Sequence, residues 1–150
     1  MKIWLLTHSE EKKKKTGTGK LVKEILADEC NIIEWSRVLP NKDILHLDIS
    51  HTILLYPQED SSQQATIMQD IENIIILDGT WRQARKMYNQ SPYLKLFPHY
   101  EIRGKVSEYT KRRNQKRTGL CTAETVIHLL EQKGHIKALS LKKHFDDFNR

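Results

Sequence analysis

Four aliphatic residues in a row, Ile74-Ile75-Ile76-Leu77, run into Asp78-Gly79-Thr80-Trp81-Arg82-Gln83-Ala84, and no other segment constrains the chain as tightly. A strand with one wet face alternates apolar and polar residues. A strand apolar at four successive positions is covered on both faces, as in a parallel sheet flanked by helices. An acid and a glycine end the run, and Thr80 is a residue type whose hydroxyl accepts a bond from a backbone N–H at a helix start. The segment therefore reads as strand, tight turn and a helix from about Thr80 to Asn89, stopped near Pro92. In open sheets of this class ligands bind beyond the carboxyl ends of strands, and Asp78 stands at such an end. Trp81, Ala84 and Tyr88 share one face of the helix, and Arg82, Arg85 and Lys86 share another. Taken alone, the plainer reading is the better one: Asp78 closes a turn and Trp81 is core.

The same reasoning extends along the chain. Lys2–Thr7 reads as a first strand and His8–Thr18 as a polar, lysine-rich loop. Leu21–Ala27 carries Leu21, Val22, Ile25 and Leu26 at helical spacing. Cys30–Trp35, Thr52–Tyr56 (closed by Pro57) and Asn73–Leu77 read as further strands, and His99–Arg103 as a fifth. Thr122–Gln132 reads as a helix stopped by Gly134, and Lys137–Arg150 as a helical tail. Such alternation predicts one α/β domain over residues 1–150, with a mostly parallel sheet flanked by helices on both sides. At 150 residues the chain is long enough to bury a real core.

A net charge of +6 points to a polyanionic partner, and the distribution says more than the total. From Arg103 to Arg117 there are seven basic residues and one acid, with Tyr109 among them. Cations beside an aromatic ring suit phosphates and a stacked base, although on charge alone a solvated basic loop is the better reading. The segment from Lys12 to Lys20 fails the phosphate-loop pattern, since Lys14 and Leu21 stand where that pattern needs glycine and a hydroxyl. Cys121 to Glu124 has the spacing of a helix capping box with cysteine as the cap, so Glu124 is a cap or a ligand. The two cysteines, Cys30 and Cys121, form no C-x-x-C pair. They predict neither a disulfide framework nor a metal site, and they fit a reducing cytoplasm. There is no signal-peptide pattern and no apolar stretch long enough for a membrane helix.

None of these segments is decisive by itself. In this order, however, His8-x-x-Glu11, Thr16-Gly17-Thr18-Gly19, Asp78-x-Thr80-Trp81-x-Gln83-Ala84, Tyr109-x-x-Arg112-Arg113 and Leu120-Cys121-Thr122-x-Glu124 resemble the DTW-domain proteins, tRNA-uridine aminocarboxypropyltransferases. The resemblance runs over about residues 8–131. Gly17 stands where the family pattern has asparagine, and Cys121 where serine is usual. Many relatives begin with a cysteine-rich segment, whereas this chain starts directly at its first strand. The resemblance implies a SPOUT-like α/β fold, a class in which the chain can be knotted. It implies S-adenosylmethionine as donor and N3 of a tRNA uridine as acceptor; the missing cysteine ligands are the reason that no metal is expected.

It also implies residue roles. Asp78, Thr80 and Trp81 would form the catalytic turn, with Asp78 as the base at uridine N3 or as the ligand of the donor's amino group. Tyr56, Pro57, Leu77, Gly79, Leu120, Cys121, Thr122 and Glu124 would line the donor site. Lys14, Lys15, Arg82, Arg85, Tyr109, Lys111, Arg112, Arg113 and Arg117 would face RNA. Two other classes fit the same features: a SPOUT-type RNA methyltransferase, and a non-catalytic RNA-binding module.

Overall fold

A computed structural model describes residues 1–57, 67–111 and 119–150. Five strands, β1 (Lys2–Thr7), β2 (Cys30–Glu34), β3 (Thr52–Leu55), β4 (Asn73–Asp78) and β5 (His99–Tyr100), form one sheet in the order β2-β1-β4-β3-β5. Every described pairing is parallel. The helices are α1 (Ser9–Lys12), α2 (Gly19–Leu26), α3 (Lys42–Leu45), α4 (Trp81–Asn89), α5 (Thr122–Lys133) and α6 (Ala138–Phe148).

The aliphatic run of β4 explains the layering. Ile74 and Ile76 point into one core with Ile3, Leu5, Leu21, Val22, Val126, Leu130 and Phe145, beneath α2, α5 and α6. Ile75 and Leu77 point into a second core with Trp4, Leu6, Leu54, Ile44, Met87 and Leu94, beneath α3 and α4. Successive side chains of a strand face opposite sides, so a central strand between two helical layers must be apolar at every position.

Predicted and observed elements differ in several places, beginning with α3 (Lys42–Leu45), which forms where no element was expected. The loop after β1 holds a helical turn, α1, because the His8 ring accepts the Glu10 N–H through Nδ1 (3.1 Å) and caps it. The fifth strand stops at Tyr100, two residues into the span expected to reach Arg103. It lies at the sheet edge with only β3 beside it, and the chain then bends through Gly104 at φ +76°. Helix α4 begins one residue later than expected, with Thr80 as its cap. The stop at Gly134 is of the expected kind, a left-handed C-cap at φ +65°.

The order of connections picks out one place in the sheet. After β1 the chain passes through α2 to β2 on one flank; after β4 it passes through α4 to β5 on the other. Connections diverge between β1 and β4, and this is where open parallel sheets leave a crevice for ligands. Thr7 and Asp78 are the paired residues at its mouth.

Candidate active site

Asp78 ends β4 with only 6% of its surface exposed. Thr122 Oγ donates to its Oδ1 at 2.7 Å, and Thr7 Oγ lies 3.2 Å from its Oδ2. Three elements thus hold one carboxylate: the end of β1, the end of β4 and the first residue of α5. The start of α2 closes the fourth side. A Cβ on Gly19 would lie 2.8 Å from Asp78 Oδ2, so only glycine lets the helix approach this closely. Burial pushes the Asp78 carboxyl above its usual range, with the Glu11 carboxylate adding to the shift, while the Thr122 and Thr7 hydroxyls and the charge of Lys14 oppose it. Among the described residues no basic nitrogen lies within ion-pair distance of it. A buried carboxylate without a cation is a costly arrangement, and one that a cationic ligand would relieve.

The Thr-Gly-Thr-Gly segment is built into this site. Thr18 is buried, and its hydroxyl accepts the Ala123 N–H at 3.0 Å, satisfying one of the orphan donors at the start of α5. The Tyr109 hydroxyl donates to the Thr16 carbonyl. Segments far apart in the chain therefore lock each other around Asp78. Thr7, Thr18 and Gly19 were not among the expected site residues. The available signals were a lone threonine closing the apolar strand Ile3–Leu6 and the Thr16-Gly17-Thr18-Gly19 segment, whose last glycine opens α2.

Gly79 and Thr80 make the turn into α4. Thr80 Oγ accepts the Gln83 N–H (3.2 Å) while Gln83 Oε1 accepts the Thr80 N–H (2.8 Å), a reciprocal capping box. A Cβ on Gly79 would strike Gln83 Oε1 at 2.9 Å. Trp81 is not core: it is 60% exposed. Its ring lies 6.1 Å from that of Tyr56, at 21°, and Tyr56 stacks on Tyr88 at 3.9 Å and 8°. His99 stands edge-on to Tyr88, with its Nε2 2.7 Å from the Tyr88 hydroxyl. The strand-to-helix turn thus sends its acid to the α2/α5 side of the sheet and its tryptophan to the α4 side.

Other expected site residues are distributed as follows. Leu77 is buried in the α3/α4 core, and Pro57 is exposed beyond β3. Cys121 is buried beside Thr122, and burial raises its thiol to about 12; Cys30 is likewise raised to about 11. Neither is a thiolate nucleophile. Glu124 Oε1 accepts from Ser107 Oγ (2.5 Å) and the Cys121 N–H (3.0 Å), and Oε2 accepts from the Glu108 N–H (2.8 Å). Burial raises its pKa, yet these bonds outweigh it and hold the carboxyl below its usual range. Its oxygens are committed to bracing the 107–108 segment against α5. With Leu120, Glu124 lines a separate cavity of about 330 Å³ between α5, α6 and residues 105–108, away from Asp78.

The surface expected to meet RNA is only partly as read. Arg82, Arg85, Lys14, Lys15 and Lys111 are exposed, and Lys14 pairs with Glu11 at 3.2 Å. Tyr109 is a correction: it is 6% exposed, its ring packed between Phe145 (5.8 Å) and Phe148 (6.3 Å), because its hydroxyl is anchored inward on Thr16. Arg112, Arg113 and Arg117 lie outside the described residues.

The family model described as the DTW domain matches residues 1–150. The chain belongs to the DTW domain family. A curated relative, tRNA-uridine aminocarboxypropyltransferase 2 of Drosophila melanogaster, is 27% identical over 140 residues, covering 85% of this chain and 54% of the relative. The chain thus spans about half the length of that protein. No solved structure matches it. In this DTW domain the Asp-x-Thr-Trp turn sits at the one place where the sheet's connections diverge. Among the described residues no helix is long and apolar enough to cross a membrane, and no group of three or more His, Cys, Asp or Glu side chains is arranged to hold a metal.

Proposed function

We propose that this DTW domain transfers the 3-amino-3-carboxypropyl group of S-adenosylmethionine to N3 of a uridine in tRNA, releasing methylthioadenosine. The single observation that carries the reading is Asp78, a buried carboxylate with no cation in ion-pair contact among the described residues, placed at the sheet's switch point. Family membership and the name of the fruit-fly relative support the same direction. The parallel sheet with helices on both faces supports a SPOUT-like arrangement, and two free buried thiols support a cytoplasmic setting.

The donor's sulfonium supplies the activation. In the transfer the N3–Cγ bond forms as the C–S bond breaks, the electron pair of the broken bond stays on sulfur, and the N3 proton passes to water. The protein's part is orientation and charge placement. Asp78, held by Thr7 and Thr122, takes the donor's positive end. Gly19 lets the start of α2 pack against that carboxylate, and the Thr80/Gln83 box fixes the turn that carries both Asp78 and Trp81. We favour the cation-ligand role over the base role, because each carboxylate oxygen already accepts an internal hydroxyl and the group has little contact with water.

Two expectations follow for the intact protein. Because a sulfonium needs no Lewis acid, EDTA should leave turnover unchanged in a methylthioadenosine-release assay; a loss restored by zinc would contradict this. RNA binding should weaken steeply with salt, each neutralised phosphate adding about −0.7 to −0.9 to the log–log slope. Changing Arg112 and Arg113 together to alanine should flatten that slope, as measured by filter binding across a salt series. An unchanged slope would place the contact on Lys12–Lys15 or on the Arg82/Arg85 face of α4 instead.

A further inference from the structure

We infer that the exposed face of Trp81, backed by Tyr56 and Tyr88, is the seat of a base of the RNA substrate rather than of the donor's adenine; this rests on the tRNA reading above. Trp81 is the first residue of α4 and leaves 60% of its surface in water, while Trp4 of the same chain is only 7% exposed. Folding makes little use of the Trp81 ring. It is nevertheless held in order: it stands at the end of a near-parallel series with Tyr56 (6.1 Å, 21°) and Tyr88 (3.9 Å, 8°), and His99 buttresses Tyr88 edge-on. A pre-oriented aromatic face accepts a nucleobase with little ordering cost, and it accepts any base, because every base has a π-face.

Three observations favour a polymer over a small molecule. The face is open, whereas small ligands are as a rule enclosed. It is flanked by cations suited to a phosphate chain: Arg82 and Arg85 are exposed on the same helix. Finally, it lies on the α4 side of the sheet, while Asp78, assigned to the donor's positive end, faces α2 and α5. The two substrates would then meet across the end of β4 from opposite faces.

The test uses the full chain and an unmodified tRNA transcript at fixed salt. Trp81→Ala should fold with an unchanged melting temperature, because the Thr80/Gln83 box remains. It should bind the transcript about tenfold more weakly, as expected for loss of one stacked base. Trp81→Phe should recover most of that loss, and S-adenosylmethionine affinity, measured by calorimetry without RNA, should match wild type in both. The transcript should also quench tryptophan emission in wild type and not in Trp81→Phe. Trp81→Ala binding the transcript as well as wild type, or losing donor affinity instead, would overturn the platform alone. Wild type failing to bind the transcript at all would overturn the tRNA reading together with it.

Discussion

Replacing Asp78 with asparagine is expected to give a folded protein that has lost its grip on the donor. Asparagine keeps the shape and leaves an oxygen to accept from Thr122 or Thr7, but it removes the charge. If the carboxylate holds the donor's cation, affinity for S-adenosylmethionine falls roughly 10- to 100-fold, the range for losing a hydrogen bond to a charged group. Saturating donor then restores much of the rate. If Asp78 were instead the base at N3, donor affinity would be intact and turnover at saturating donor would fall by about 10²–10⁴. Stability separates both from a turn role. The folded-state pKa of Asp78 lies above its ordinary value of 3.8, so between the two values the folded chain binds more protons than the unfolded one. The stability this group contributes is full below the unfolded value and is lost as pH rises through the folded one. Asparagine has no such dependence. At neutral pH the melting temperature of Asp78→Asn should therefore not lie below that of wild type, whereas a residue retained for folding would show a drop.

Gly19→Ala should reproduce much of that loss without touching the carboxylate chemically. The added methyl would lie 2.8 Å from Asp78 Oδ2 and 3.3 Å from a Leu5 methyl, in a packed region. Asp78 is the shorter and more constrained neighbour, so it must rotate off Thr7 or push α2 outward. Overpacking of this kind costs about 1–3 kcal/mol, so the melting temperature falls here, unlike in Asp78→Asn. Donor affinity should fall in parallel, and the double variant should bind donor no worse than Asp78→Asn alone, because both changes act on one contact. Isothermal titration of the three variants measures this; additive losses would mean that Gly19 serves the donor in some way other than through Asp78.

The contrast between these two residues marks what the sequence could disclose. Strands β1 and β4 were legible because their apolar runs are bounded by polar residues, and the end of α5 because Gly134 supplies the left-handed cap. Asp78 was legible as a strand-end acid. Its surroundings were not, since Thr7, Gly19 and Thr122 reach it from 71, 59 and 44 residues away along the chain, and only the sheet order brings them together. Tyr109 was misread for the same reason. It sits in a basic stretch and looked like a surface ring, but its hydroxyl finds Thr16 and draws it under α6. Trp81, which taken alone reads as core beside a buried strand and by resemblance as part of the catalytic turn, is set at the surface by the Thr80/Gln83 cap, where its ring meets Tyr56. Glu124 carried two readings, cap or ligand; it accepts the Cys121 N–H as the capping box requires, and Ser107 and the Glu108 N–H take up more of its oxygens.

The central claim concerns which carbon of the donor is presented. The direct test is to incubate the purified chain with S-adenosylmethionine and unmodified tRNA, then to analyse the small-molecule product and the digested nucleosides by mass spectrometry. Methylthioadenosine should accumulate in step with a uridine carrying the aminocarboxypropyl group; S-adenosylhomocysteine with a methylated nucleoside, or no turnover of the donor with any tRNA, would contradict the account.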